Sequence, residues 1–557
     1  MVLPKRTSQC VTQQAIEVGL RLLGVSAAVF FLLMGNASAQ PIIRAIWLDQ
    51  RDVFDSTAGE WFFAASLVNA LHTTTRPWLV ADELLFRVGD QLDTAILYES
   101  ERNLRRTGLF SRVEMIVDTV GPDAVEVTVL TQDFWSTTAA LLFGSGGGIA
   151  SLGAKVEEFN LAGTGSRLGV EGLYRTENNI GWQGAAWLQW RRLLRSEIGL
   201  SGRLFAHRYR TIQSLALVQP YRTLHTPVAW SIGAKNHYGS DFYYRGTSGQ
   251  FELLPFHLRR AYGWFSIGTT DDDADRLFAT VYASIESVRR IAPEFRQAAD
   301  NCGRVMVSLG SLRQHFRRVT GLDGYLIEDV AYGAWGAATV GYFFPMNSQG
   351  ERFFYVGGEA EQSAFLAQGD VYFFGRISAG SGYDRGEARY TTIESFGLGH
   401  WRASRSVVIA ARFWQQTVWN WPAFRQLVLD NDVGLRSYAV NQLVGDNRLL
   451  YNVEFRFLPQ WRWWIVGLSS VAFFDGGTVW RQGTPFERTR FYHAVGIGLR
   501  LHLLKWLDDG GILRFDVAYN LDTRRFGVVF SSGQLFSAVR SHAFALPTFY
   551  GSAIDVE

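Results

Sequence analysis

Residues 434–457 read GLRSYAVNQLVGDNRLLYNVEFRF. The second half alternates almost without fault. Leu449, Tyr451, Val453, Phe455 and Phe457 fall on one side of an extended chain, and Asn452, Glu454 and Arg456 on the other. The same pattern returns in 495–503, where Val495, Ile497, Leu499, Leu501 and Leu503 oppose Gly496, Gly498, Arg500 and His502. It returns again in 513–520, where Leu513, Phe515, Val517 and Tyr519 oppose Arg514, Asp516, Ala518 and Asn520. These strands have one greasy face and one charged face. The first of them is entered through a glycine-flanked stretch carrying Arg436 and Tyr438.

Short alternating runs extend from Trp135 to Phe536, with no helical period between them. A β-sandwich would bury the greasy faces against a second sheet and give the same alternation. Three features favour a transmembrane antiparallel β-barrel instead. The alternating region is very long, aromatics are frequent near strand ends, and the chain opens with a secretory pattern. The full chain has 557 residues, of which 14% are aromatic (40 Phe, 21 Tyr, 19 Trp) and only 19% charged. At roughly 25 residues per strand and connection, the region predicts about 16 strands. No other stretch is long and apolar enough for a transmembrane helix. The net charge of +2 gives no ground for a nucleic-acid partner.

Residues 1–39 read as a signal peptide. Lys5, Arg6 and Arg21 precede the apolar run Leu22 to Met34, and Ala37-Ser38-Ala39 offers a small-x-small cleavage site. Of the two cysteines, Cys10 would leave with the signal, so an intrachain disulfide is not expected around Cys302.

Residues 40–133 form a separate α+β unit of order β-α-α-β-β. PIIRAIWLDQ predicts a strand and EWFFAASLVNALH (60–72) a helix. Asp93 is placed to cap a second helix with Leu97 and Leu104 on one face, closed by Gly108. A hairpin turning at Gly121-Pro122-Asp123 follows. The stretch from ELLFRVGDQLD to LYESERNLRRTGLFSRVEM resembles a POTRA domain at Gly89-Asp90, Asn103-Leu104-Arg105 and Leu109-Phe110. That resemblance implies a periplasmic module that receives extended polypeptide by strand addition.

The remainder resembles the bacterial surface-antigen barrels of the BamA/TamA type. EEFNLAGTGSRLGVEG (157–172) is similar to the family's first-hairpin signature, and LALVQPYRTLHTPVAWSIG (215–233) to its early-strand pattern. Five candidate strands follow residue 448, which is the position of the family's sixth loop with its L/V-R-G-F/Y motif. Leu435, Arg436, Ser437 and Tyr438 match that motif with serine in place of glycine. The family's partner pattern F-x-D-x-G is matched by Phe473, Asp475 and Gly477. On the residues alone, a solvated external loop is the default for Arg436. The resemblance implies instead that the loop turns into the lumen and that Arg436 pairs with Asp475 there. FGVVFSSGQLF (526–536) is similar to a C-terminal strand signal, with Val528, Phe530 and Phe536 as its hydrophobic positions. Residues 537–557 form a tail beyond it.

No catalytic set emerges, so enzymatic activity is not expected, nor is a cofactor or metal. The histidines have no HExxH spacing. Gly144-Ser145-Gly146-Gly147-Gly148 lacks the Gly-Lys-Ser/Thr of a phosphate loop and reads as a flexible barrel-entry hairpin. TTDDDADR (269–276) lacks calcium-loop spacing. The resemblance implies a protein of the bacterial outer membrane, its N-terminal domain periplasmic. It would assist insertion or translocation of client polypeptides through strand addition and a barrel seam. The expected partners are lipid, clients and periplasmic accessory proteins. A two-partner-secretion-like export pore and a structural or diffusion barrel without a client are the alternatives.

Overall fold

The computed structural model describes residues 40–54, 69–70, 72–222, 226–245, 250–269, 275–322, 324–325, 327–459, 462–463, 466–503, 512–538 and 544–552. The signal at 1–39, most of the helix expected over 60–72 and most of the acidic run 269–276 lie outside these. The chain divides after Phe134 into two units, with residues 71–75 grouped with the second.

Among its described residues, the first unit has a three-stranded sheet and the helices Pro77–Asp82 and Thr94–Arg106. Strand Ala124–Asp133 lies in the middle, parallel to Ile42–Arg51 and antiparallel to Phe110–Gly121. Val125, Val127 and Val129 are buried on its inner face. Helices Pro77–Asp82 and Thr94–Arg106 cover that face with Leu79, Val80, Leu97 and Leu104. The Asp93 carboxylate accepts the Ala95 N–H at 2.7 Å, capping the longer helix. Gly108, at φ 70°, supplies its left-handed exit. Both outer strands have one ladder edge that no described strand pairs.

The second unit is a closed antiparallel barrel of twenty strands among the described residues, from Thr137–Gly146 to Arg525–Ser532. The sequence spacing predicted about 16. It allowed about 25 residues per strand and connection, whereas many connections are tight. Only residues 147–148, 208–209, 385–386 and 405–406 separate the strands they join. Strand Asp275–Arg290 illustrates the wall. Leu277, Val281 and Ile285 are exposed on the outside, while Arg276, Phe278, Thr280, Tyr282, Ser284 and Glu286 are buried inside. The greasy faces read from the sequence in 449–457, 495–502 and 513–520 are the outer ones, and Glu454, Arg456, Arg500, Arg514 and Asp516 face inward and are buried. An apolar exterior around a charged interior is the surface of a barrel built for lipid.

Strand length is uneven. The wall from Val228–Tyr244 to Val407–Trp419 uses strands of 13 to 19 residues. The last two strands, Ile512–Asn520 and Arg525–Ser532, have only 9 and 8.

Candidate functional site

The connection between strands Val407–Trp419 and Asn447–Phe457 folds into the barrel. A short ladder pairs Leu427–Leu429 with Leu443–Gly445. Beyond it, Asp430 ties the loop together: its carboxylate accepts N–H groups of Asn441 at 2.7 Å, Asp432 at 3.0 Å and Val433 at 3.1 Å. Its carbonyl accepts Leu435 N–H at 2.8 Å. Gly434 has φ 122°, and a Cβ there would collide with the Arg412 guanidinium. Only glycine fits both conditions.

This scaffold aims Arg436 at the wall. Its side chain is fully buried. Nε donates to Asp475 Oδ2 at 2.7 Å and Nη2 to Asp475 Oδ1 at 2.8 Å, a bidentate pair. Nη1 donates to Glu454 Oε1 at 3.0 Å and to Asp516 Oδ2 at 3.3 Å. The guanidinium lies 3.3 Å from the Phe473 ring centroid. Phe473 and Asp475 therefore share the inner face, as their parity requires. Gly477 is on the same face; a Cβ there would lie 2.5 Å from Leu449 O and 3.0 Å from Leu429.

The surrounding charges complete a network. Arg456 Nε donates to Glu454 at 2.9 Å, Arg500 donates to Asp516, and Asn452 Nδ2 donates to Asp475 at 2.7 Å and to Gly434 O at 2.7 Å. Buried carboxylates are tolerated here because each has an arginine and further donors. The sequence pattern pointed to Arg436 and Asp475. It missed Glu454, Asp516 and Arg500, although each sits on the polar side of an alternating strand; nothing in one sequence says which polar positions converge across a lumen.

The loop tip reaches the place where the barrel closes. Ser437 sits at φ 72°, the left-handed region that glycine occupies more readily. Facing it is Gly527 of the last strand, where a Cβ would come within 2.9 Å of Ser437 Cα and Cβ. Tyr438 donates its hydroxyl hydrogen to Asp522 and accepts the His493 N–H at 3.1 Å. Leu435 is buried with Leu429, Leu443, Leu450 and Tyr438. Val440 N–H donates to Gly147 O at 2.9 Å, and a Cβ on Gly147 would meet Tyr438 O at 2.9 Å. The glycine run 144–148 is thus a close-approach surface at the first turn as well as an entry hairpin. One loop touches both ends of the cylinder wall.

That closure is thin. The first and last barrel strands share one register pair, Phe530 with Ser145, and the Phe143 and Phe530 rings stack outside it at 4.7 Å. Apart from the two-residue strand Arg462–Trp463, neighbouring strands elsewhere around the cylinder share eight or more such pairs; the last two strands, for example, pair from Leu513–Ser532 to Asn520–Arg525.

The C-terminal pattern requires correction. The final strand ends at Ser532, with Val528 and Phe530 on the outer face. Phe536 is not its last residue. Gly533, at φ 79°, turns the chain, and Phe536 is buried inside the barrel beside Arg456 and Arg412.

Fold and site together define a large closed β-barrel whose lumenal arginine loop braces a weakly paired closure. No protein-family model and no curated protein matches the sequence. Among solved structures it is similar to BamA from Haemophilus ducreyi lacking POTRA domains 1–3, at 14% identity over 89% of this chain and 85% of that one, TM-score 0.41. It is also similar to CdiB from Acinetobacter baumannii, at 10% identity over 88% and 74%, TM-score 0.42. CdiB from Escherichia coli gives 9% over 88% and 76%, TM-score 0.42. Superpositions this loose carry no functional conclusion, which rests on the geometry above.

Proposed function

We propose that this is a bacterial outer-membrane barrel that inserts or translocates client polypeptides, with the N-terminal unit acting as a periplasmic POTRA-like receiver. The observation that carries the reading is the single-pair closure between strands Thr137–Gly146 and Arg525–Ser532. Unpaired backbone is costly in hydrocarbon, so a nearly unpaired edge there is a template for an incoming strand. An eight-residue strand tilted as barrel strands are spans less than the roughly 30 Å hydrocarbon core, which thins the lipid beside the seam. In the N-terminal unit, the edge of Phe110–Gly121 that no described strand pairs offers a second template. Client folding supplies the free energy, and the mechanism uses no cofactor or nucleotide.

The test is a reversible lock. Ser145 and Phe530 are direct cross-strand partners, and antiparallel partners have Cα separations of about 4.5–5.5 Å, within disulfide range. The Ser145→Cys/Phe530→Cys protein should fold, lose its ability to restore the outer-membrane proteome of a depleted strain, and regain it under reductant. Full complementation by the oxidised, fully crosslinked protein sinks the seam mechanism. Loss of one surface protein alone on depletion, with other barrels intact, moves the reading to a dedicated export pore.

A further inference from the structure

The chain does not leave the barrel after its last strand. Gly533 N–H donates to Ile512 O at 2.7 Å as the backbone turns inward. Phe536 O accepts Arg456 Nη2 at 2.9 Å, its ring lies 6.2 Å from His400, and Ala538 beyond it is fully buried. Residues 544–552, FALPTFYGS, continue inside. The Phe544 ring sits 5.1 Å from Tyr221, 5.2 Å from Phe278 and 5.8 Å from Trp264. Phe549, only 3% exposed, lies 4.9 Å from Phe343, 5.1 Å from Tyr355 and 5.9 Å from Trp421.

The order of these contacts gives the direction of travel. Strands alternate in direction around the barrel, so Phe251–Gly268 and Glu387–Ser404 run the same way as Arg525–Ser532 and end at the same rim. His400, near the end of Glu387–Ser404, and Trp264, near the end of Phe251–Gly268, lie toward that rim. Phe343 and Phe353 flank the connection at the opposite rim, and Trp421 follows a strand that ends there. The segment therefore runs lengthwise through the lumen, from the rim where it starts toward the other.

Its seat has the chemistry of a peptide-binding track. Rings grip Phe544 and Phe549, five residues apart. Beyond Phe549 the wall addresses backbone: Tyr550 N–H donates to Tyr355 Oη at 3.2 Å, and Gly551 N–H to Glu394 Oε1 at 2.9 Å. Gly551 is at φ 78°, with Trp421 2.9 Å from where a Cβ would stand. The described residues 533–538 and 544–552 carry no charged side chain, so their release strands no ion of their own in the lumen.

We propose that the segment after Ser532, seen in residues 533–538 and 544–552, is a resident plug. Its aromatic track is a binding site for extended polypeptide bearing spaced rings, and the lumen conducts only when the plug leaves. This stands apart from the seam mechanism.

Conductance in planar lipid bilayers tests it. The full chain should dwell at low conductance, and a chain ending at Ser537 should conduct several-fold more. A synthetic peptide of residues 538–557 should return the truncated barrel to the low level, while a scrambled peptide should not. If the truncated chain fails to fold, the full-length Phe544→Ala/Phe549→Ala variant carries the test, and it should show more frequent large openings. Unchanged conductance in the folded truncated or double variant overturns the proposal, as does equal block by the scrambled peptide. The seam-locked protein should keep the same tail-dependent conductance, so failure of one mechanism is distinguishable from failure of the other.

Discussion

Arg436→Ala should be the most damaging single substitution in the lumenal network, and the partners each carboxylate retains show why. Glu454 keeps Arg456 at 2.9 Å, and Asp516 keeps Arg500 and, at 3.6 Å, Arg514. Asp475 keeps only neutral donors, the Asn452 amide and the backbone N–H of residue 436. One fully buried carboxylate is then left without a hydrogen-bonded cation, Arg412 acting on it only through space, and breaking a buried pair this way costs about 3–5 kcal/mol. Asp475→Asn should cost less, about 2 kcal/mol, because Arg436 still donates to Glu454 and Asp516. In the double variant the stranded carboxylate is gone, so its cost should approach that of Arg436→Ala alone, a coupling of about 2 kcal/mol. The assay is urea unfolding of the refolded barrel in lipid vesicles, followed by tryptophan fluorescence and by the mobility of unheated protein on electrophoresis. If the single costs add to within about 0.5 kcal/mol, the direct Arg436–Asp475 coupling is wrong. So it is if Asp475→Asn is the costlier change.

Other expectations follow from the loop tip and the first unit. Ser437→Gly should stabilise the barrel by about 0.5–1 kcal/mol in the same unfolding assay, since it relieves a left-handed serine but adds freedom to the unfolded chain. Gly527→Ala should cost about 1–3 kcal/mol by overpacking against Ser437, and less in the Ser437→Gly background, where the Cβ contact is gone. Gly434→Ala should detach the loop, read as protease cleavage between residues 420 and 446 in the folded barrel, because φ and the Arg412 guanidinium both oppose a Cβ. Asp93→Ala should destabilise the N-terminal unit by about 1 kcal/mol, measured by thermal unfolding, through loss of its helix cap.

Legibility in the sequence followed the range of the interactions. Alternation has a period of two residues and reports directly on which wall faces lipid, so the sidedness of 449–457, 495–502 and 513–520 was readable. The helix cap at Asp93 and the exit at Gly108 are equally local. Strand number was not, because it depends on connection length, and the two-residue turns at 147–148 and 385–386 carry little signal beyond glycine. Convergence was the least legible. Glu454, Asp475 and Asp516 lie on three different strands, and Arg436 reaches them only through the Asp430 clamp. Phe536 misled for a related reason: an aromatic in period with Phe526, Val528 and Phe530 looks like the same strand, and only the turn at Gly533 takes it inside.

The network raises the question of why one lumenal cluster would hold four arginines and three acids where apolar packing would be at least as stable. A buried ion cluster of this kind is weak as a source of stability but strong as a register device, since a misplaced loop leaves charges unpaired. Here the register matters at one place. The loop tip meets Gly147 beside the first strand and Gly527 on the last, while those two strands are joined to each other by a single pair. An apolar plug could slide along the lumen at small cost. Arg436 cannot, because Asp475, Glu454 and Asp516 fix it from three strands on one side of the closure. The seam can therefore be weak in its own ladder and still keep its alignment, since its two edges are held in place from inside by a loop anchored elsewhere in the wall.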